Sequence, residues 1–379
     1  MTIYLDHAST SMPKPDIALH AIQSLNEQCV GNPYRSITHL SQNNSFIEEA
    51  RQKISSFLGI KNYKKLSFTF NATHSINIVI QGALKKGDHV IFSCIEHNAV
   101  IRTIRYLADK GEIQYSTINS KDDGKFNLDD ITAAIQKNTK LIVWNHASNV
   151  TGTISPIHDI AKIAQQNNIL LLVDCAQTAG ILDVGVVSKN ADFTAYTCHK
   201  SLLSFPGLGL LYVKNEKTLK PLLHGGGGFN SGFPIHPSTS PLKFEAGTLN
   251  YFAIAALNKT TEYLSQERQN LFIHHTELNQ LLRKELRNID EVQLYGTDNN
   301  TVPITSFNIK GVESQFVSSS LYQNHKIVTR PGLHCAPLIH KVIGTNPVGC
   351  VRVSIGYKNT EKEIETLIKS IKEIIRKIV

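Results

Sequence analysis

The sequence predicts an α/β protein: a large domain on a mostly parallel sheet, and a smaller α+β domain at the C-terminal end. Three observations carry this. Short apolar runs alternate with segments of helical spacing from about residue 65 to 215. The rhythm breaks at a stretch rich in Gly, Ser and Pro, 224–241. Beyond it, a long helical pattern leads into a second, shorter set of strands. With 379 residues, the chain is too long for one ordinary core, so one large and one small domain are expected.

The runs at 66–70, 89–94, 141–145, 169–174 and 209–213 read as strands buried on both faces, as the strands of a parallel sheet must be. Between them, Ile157, Ile160 and Ala164 mark one helical face, opened by Pro156 near its first turn. Strand–helix alternation of this kind puts helices on both sides of the sheet. The 224–241 stretch reads as a long functional or mobile loop. Its Gly run, 225–228, does not sit between a strand and a helix, so it is not a phosphate loop. A helix is expected over 250–287, then strands near 304–309 and 350–355. A closing helix over 361–379 carries an apolar stripe of Ile364, Leu367, Ile368, Ile371, Ile374, Ile375 and Ile378.

Hydrophobic residues make up 41% of the chain and charged residues 18%, which excludes a disordered protein. The formal charge is +8, but the basic residues are scattered. Where they are densest, 358–377, Glu interleaves with Lys as on a solvated helix face. Without a basic stripe and interleaved aromatics, no nucleic-acid partner is expected. The cysteines, Cys29, Cys94, Cys175, Cys198, Cys335 and Cys350, form no CxxC pair, so neither a disulfide frame nor a zinc site is expected. The start, MTIYLDHAST, has no signal-peptide pattern, and no apolar run is long enough to span a membrane. A reducing cytoplasm is the expected location.

Several residues carry chemistry. Asp174 ends the run ILLLVD, and in open parallel sheets ligands bind at the carboxyl ends of strands. A carboxylate there suits a cationic ring nitrogen, and equally a helix cap. Lys200 ends the run DFTAYTCHK, where desolvation would lower its pKa and free its amine. The two lie far enough apart for one strand between them. In FTFNATHSIN a strand runs into a helix start at Asn71, Ala72, Thr73 and His74, where free N–H groups and hydroxyls suit a phosphate.

The stretches YLDHAST, GNPYRS, FTFNATHSIN, EHNAV, SNVTGT, VDCAQTAG, TCHKSLLSFPGLGLLYV, FEAGTLN, RPGLHCAP and VRVSIGYKNT occur in that order. Through nearly its whole length the chain resembles class V, fold-type I pyridoxal-phosphate (PLP) enzymes, and specifically the cysteine desulfurase family. The resemblance implies a large PLP-binding domain over 16–259 and a small domain formed by 1–15 and 260–379. It implies that Lys200 carries PLP covalently and that Asp174 pairs with the ring nitrogen. His97 would stack on the ring and assist proton transfers, and Gln177 would donate to the ring's phenolic oxygen. Thr73, Thr197 and His199 would bind phosphate, with His74 beside them at the helix start. Thr248 would reach the phosphate of a neighbouring subunit in a homodimer. Asn149, Arg352 and Arg330 would hold the substrate, the planar Arg fork matching a carboxylate.

By the same resemblance Cys335 is the nucleophile that takes sulfur from L-cysteine, leaving L-alanine and passing its persulfide to a thiol-bearing acceptor protein. Arg330 and His334 are close in sequence and would favour its thiolate, and the Gly- and Pro-containing surroundings suggest an exposed, flexible loop. The other cysteines read as small buried apolar residues. The sequence departs from the family pattern at His74, usually acidic, at Cys198, usually Gly or Ala, and at Ser204 and Phe205 in a usually Gly-rich stretch. Other class V reactions, namely selenocysteine lysis, transamination and epimerisation, remain as alternatives.

Overall fold

The structure is a computed structural model; it describes residues 2–28, 40–227 and 232–378, without the side chains of 40–45. The GNPYRS stretch, Cys29 and Gly228 lie outside the described residues.

The strands, in chain order, are β1 (Ile3–Tyr4), β2 (Leu66–Thr69), β3 (His89–Ser93), β4 (Gln114–Ile118), β5 (Thr139–Asn145), β6 (Leu170–Asp174), β7 (Phe193–Thr197), β8 (Gly209–Val213), β9 (Val292–Tyr295), β10 (Ile304–Ile309), β11 (Ile327–Val328) and β12 (Val351–Ser354). The helices are α1 (Asp16–Glu27), α2 (Leu40–Phe57), α3 (Ala72–Ala83), α4 (Asn98–Asp109), α5 (Leu128–Ala133), α6 (Ile157–Gln166), α7 (Gly185–Asn190), α8 (Tyr251–Arg287), α9 (Ser314–His325), α10 (Pro337–Val342) and α11 (Glu361–Ile378).

The main sheet has seven strands in the order β2-β8-β7-β6-β5-β3-β4. Only β8 runs against the rest, paired antiparallel with both β2 and β7. The expected mostly parallel α/β sheet is therefore present, and its apolar runs are strands. Residues alternate between its faces, as the pleat requires. Ile91, Ile142, Trp144, Leu171 and Val173 pack with α6, α7 and the first half of α8 on one face. Val90, Phe92, Leu141, Val143 and Leu172 pack with α3 and α4 on the other. Each such side chain taken out of water contributes about 1.5–3 kcal/mol.

The smaller sheet is antiparallel, in the order β12-β10-β9. Phe307, Ile309, Val351 and Val353 meet Leu278, Leu282 and Leu286 of α8 and the Ile364–Ile375 stripe of α11. The expected stripe is buried except for Ile378, which is exposed at the helix end. The first strand, β1, pairs in parallel with β11, which brings the N-terminal segment to this end of the molecule. No helix among the described residues is long and apolar enough to cross a membrane.

Candidate active site

The carboxyl ends of five strands in the main sheet converge on one cleft of about 310 Å³. After β2 comes the N-terminus of α3. Its cap Asn71 accepts from the His74 amide at 2.9 Å, leaving earlier amides of the first turn free to face a ligand. Gly209 of β8 makes this approach possible: a Cβ there would lie 2.6 Å from Asn71 Cα. After β3 comes His97, which caps α4 by accepting from the Ala99 amide through Nδ1 at 3.1 Å. Asn145 and Asn149 follow β5, Asp174 and Gln177 follow β6, and Thr197, His199 and Lys200 follow β7.

Thr73, His97, Asn149, Asp174, Gln177, Thr197, His199, Lys200, Arg330 and Arg352 all line this cleft. Asp174 is buried, with one oxygen accepting from the Ala176 amide at 2.9 Å. Burial raises its carboxyl pKa, and the Lys200 charge opposes that rise. Burial also pushes Lys200 down to about 8, with Asp174 opposing and Arg352 and Arg330 adding to the effect. At pH 7 roughly one lysine in ten is then a neutral amine, against a few in ten thousand for an ordinary lysine. His97 is held at about 4, first by burial and then by the Lys200 and Arg330 charges, so it is neutral at pH 7. The turn before Lys200 is pinned: the His199 carbonyl accepts from Ser11 N and Lys14 Nζ, each at 2.9 Å.

Cys335 is partly buried, and its Sγ lies 3.4 Å from Arg330 Nη2. The expected help from a protonated His334 is absent. His334 is buried, holds its pKa well below the ordinary value for that reason, and turns Nε2 to the Arg330 carbonyl at 3.0 Å. The expected flexible loop is also well tethered. Asn149 Nδ2 donates to the His334 carbonyl at 2.7 Å, and the Asn98 amide donates to the Cys335 carbonyl at 2.7 Å. His334 and Cys335 both adopt left-handed backbone, φ 50° and 57°. Such strain costs about 1–3 kcal/mol per residue and persists only where the surroundings over-determine it.

Two predicted cofactor residues stand apart. His74 does not line the cleft: its ring stacks on Phe70 at 4.6 Å. It is one step round the helix from Thr73, about 100°, which carries it away from the site. Thr248 is exposed and likewise outside the cleft lining. Two other residues went unassigned in the sequence. Asp6 pairs with buried Arg352 at 2.6 Å. Ser9 Oγ donates to Asp6 at 2.9 Å while accepting from Arg330 at 2.7 Å and Arg352 at 2.9 Å. The YLDHAST stretch was the only signal for them.

The cleft also holds polar atoms with no partner among the described residues: Thr197 Oγ1, His199 Nδ1, Asn149 Oδ1 and Arg352 Nε, all buried. Leaving such groups unpaired costs about 1–3 kcal/mol each, which is the signature of a site built for a polar ligand. The family model for class-V aminotransferases matches residues 3–367. The chain belongs to that family. Its relatives there include cysteine desulfurases. A probable cysteine desulfurase of Methanothermobacter thermautotrophicus is 31% identical, over 98% of this chain and 94% of the relative. The cysteine desulfurase IscS of Dictyoglomus turgidum is 29% identical, over 99% and 95%. The solved structure of a cysteine desulfurase from Thermococcus onnurineus NA1 superposes with a TM-score of 0.91 at 30% identity, covering 99% of this chain and 95% of that one.

Proposed function

We propose that this class-V protein is a PLP-dependent cysteine desulfurase, converting L-cysteine to L-alanine and holding the sulfur as a persulfide on Cys335. The observation that carries the reading is a thiol beside Arg330, next to a cleft that contains a depressed-pKa lysine and a buried carboxylate. The residues fit the cofactor: an amine for its carbonyl, a carboxylate for its ring nitrogen, and a helix N-terminus with Thr73 and the unpartnered Thr197 hydroxyl for its phosphate. When bound, PLP supplies an electron sink for chemistry at the substrate's Cα and Cβ.

Each residue then has a task. Lys200 would anchor the cofactor through its amine and would move the substrate's Cα proton. Asp174 would keep the ring nitrogen protonated, Gln177 would donate to the ring hydroxyl, and neutral His97 would lie against the ring. Thr73, Thr197 and His199 would hold the phosphate. Arg352, Arg330 and Asn149 orient the substrate carboxylate. The Cys335 thiolate attacks the substrate sulfur: an S–S bond forms, the Cβ–S bond breaks with its electron pair left on carbon, and a proton completes alanine. A thiol-bearing acceptor protein then takes the sulfur.

The proposal includes a homodimer in which exposed Thr248 reaches the partner's site, a large domain over 16–259 with the remainder as the small one, and a reducing cytoplasm, which suits a working thiol. The test is incubation with L-cysteine, with and without reductant, and measurement of alanine and sulfide. Equal alanine and sulfide are expected with reductant, and without it a gain of about 32 Da on the Cys335 peptide. Cys335→Ser should bind PLP yet release almost no sulfide. Wild-type turnover in that variant refutes the assignment, and activity on selenocysteine alone indicates the lyase.

A further inference from the structure

Cysteine spacing along the chain offers no zinc pattern, but the fold assembles one from separate elements. His334 precedes Cys335, His340 lies on α10, and Cys350 directly precedes β12. One ligand atom from each lies within 4.8 Å of the others, and all three side chains are buried. We propose that His334, His340 and Cys350 form a binding site for a zinc-class divalent cation, with water in the fourth position.

The distances are close to what such a site needs. Zn–N bonds near 2.0 Å and a Zn–S bond near 2.3 Å, set tetrahedrally, separate ligand atoms by roughly 3.3–3.5 Å. His334 Nδ1 and Cys350 Sγ are already 4.0 Å apart. Closing the cluster takes contraction by up to about 1.5 Å along side-chain torsions.

The far nitrogens are anchored as metal-binding imidazoles usually are. His334 Nε2 meets the Arg330 carbonyl at 3.0 Å, which fixes the proton there and leaves Nδ1 with its lone pair toward Cys350. His340 Nδ1 meets Thr345 Oγ1 at 2.7 Å. Its Nε2 is buried and makes no hydrogen bond of good geometry among the described residues, while the Leu333 carbonyl lies near enough to the imidazole to oppose the fall in its pKa. That orphan is the independent sign of a missing ligand, since a buried, unsatisfied nitrogen costs about 1–3 kcal/mol.

Charge and access agree. Burial holds both imidazoles neutral, His340 at about 4, which is the ligating form. Burial pushes the Cys350 thiol up to about 12, so cation binding releases its proton to solvent. His334 borders the catalytic cleft, which supplies an entry path. The set of two imidazoles and one thiolate favours zinc over magnesium or calcium, which take oxygen ligands.

The test uses the chelator-treated holoenzyme, titrated with zinc against a chromophoric competitor. One equivalent should bind to the wild type and to Cys335→Ser, and that equivalent should be lost in Cys350→Ala and in His340→Gln. X-ray absorption on the zinc-loaded wild type should show one sulfur and two imidazole nitrogens bonded to the metal. This keeps the proposal testable if both cluster variants misfold by circular dichroism. Absence of zinc uptake, uptake lost in Cys335→Ser, uptake unchanged in well-folded Cys350→Ala, or a shell without sulfur each overturns it.

Discussion

Arg330 joins the substrate cleft to the thiol: Nη1 donates to Ser9 Oγ at 2.7 Å while Nη2 stands 3.4 Å from Cys335 Sγ. The guanidinium therefore holds the sulfur through a charge-assisted contact. Removing a charge-assisted hydrogen bond costs about 1.5–3 kcal/mol, so Arg330→Ala should slow alanine formation by about ten- to a hundredfold. Alanine formation at the wild-type rate in that variant would remove Arg330 from the chemistry.

Lys200 is the expected attachment point for the cofactor. Borohydride reduction of the purified protein, followed by peptide mass spectrometry, should place the pyridoxyl group on Lys200. Lys200→Ala should lose turnover together with the yellow colour of the attached cofactor. A pyridoxyl group on another lysine, such as buried Lys14, would displace the assignment.

Asp174 accepts from the Ala176 amide in a buried position. Asp174→Asn preserves the shape but cannot hold the ring nitrogen protonated. It should retain some PLP while losing turnover by on the order of a hundredfold, as a charge-assisted bond of about 1.5–3 kcal/mol allows. Turnover close to wild type would remove Asp174 from the chemistry.

Acid should destabilise the fold well before its carboxylates titrate. His7, His97, His146 and His199 are each held by burial at about 4, below the ordinary 6.5. Between those limits the unfolded chain binds more protons than the native one, so stability falls as pH drops from about 6.5 toward 4 and is fully present above 6.5. Each such histidine contributes up to about 1.4 kcal/mol per pH unit in that window. Urea midpoints at pH 7 and pH 5 measure this, and equal midpoints would contradict it.

The parts of the fold that were legible are those where burial dictates composition. The strands β3, β5 and β6 are covered on both faces over their central residues, which are apolar there and read directly. Strand β4, QYSTI, is a sheet edge with its first residues exposed, and its polar composition hid it. Strand β9, VQLY, lies at the edge of the small sheet and is only four residues long, too short for its alternation to stand out. In the site, Lys200 and Asp174 were readable because strand ends are where ligands bind. Asp6 was not, because its partner Arg352 is 346 residues away and no local pattern encodes that pairing. His74, next to Thr73 in sequence, is outside the cleft lining because neighbouring helix positions point about 100° apart. The loop carrying Cys335 was judged mobile from its Gly and Pro, but its tethers come from Asn98 and Asn149, far away in sequence.

Helix α8 runs for 37 residues, a rod of about 55 Å. Its early turns, through Ala253, Ile254, Leu257 and Leu264, belong to the large sheet's core, and its later turns, through Leu278, Leu282 and Leu286, belong to the small sheet's core. A fracture anywhere along the rod strips apolar cover from one core or the other, so neither can melt quietly while its neighbour stands. The amides of the central turns should therefore trade hydrogen with solvent only when the whole molecule opens. A protease that nicks a surface loop should leave the two halves clasped by this shared spine.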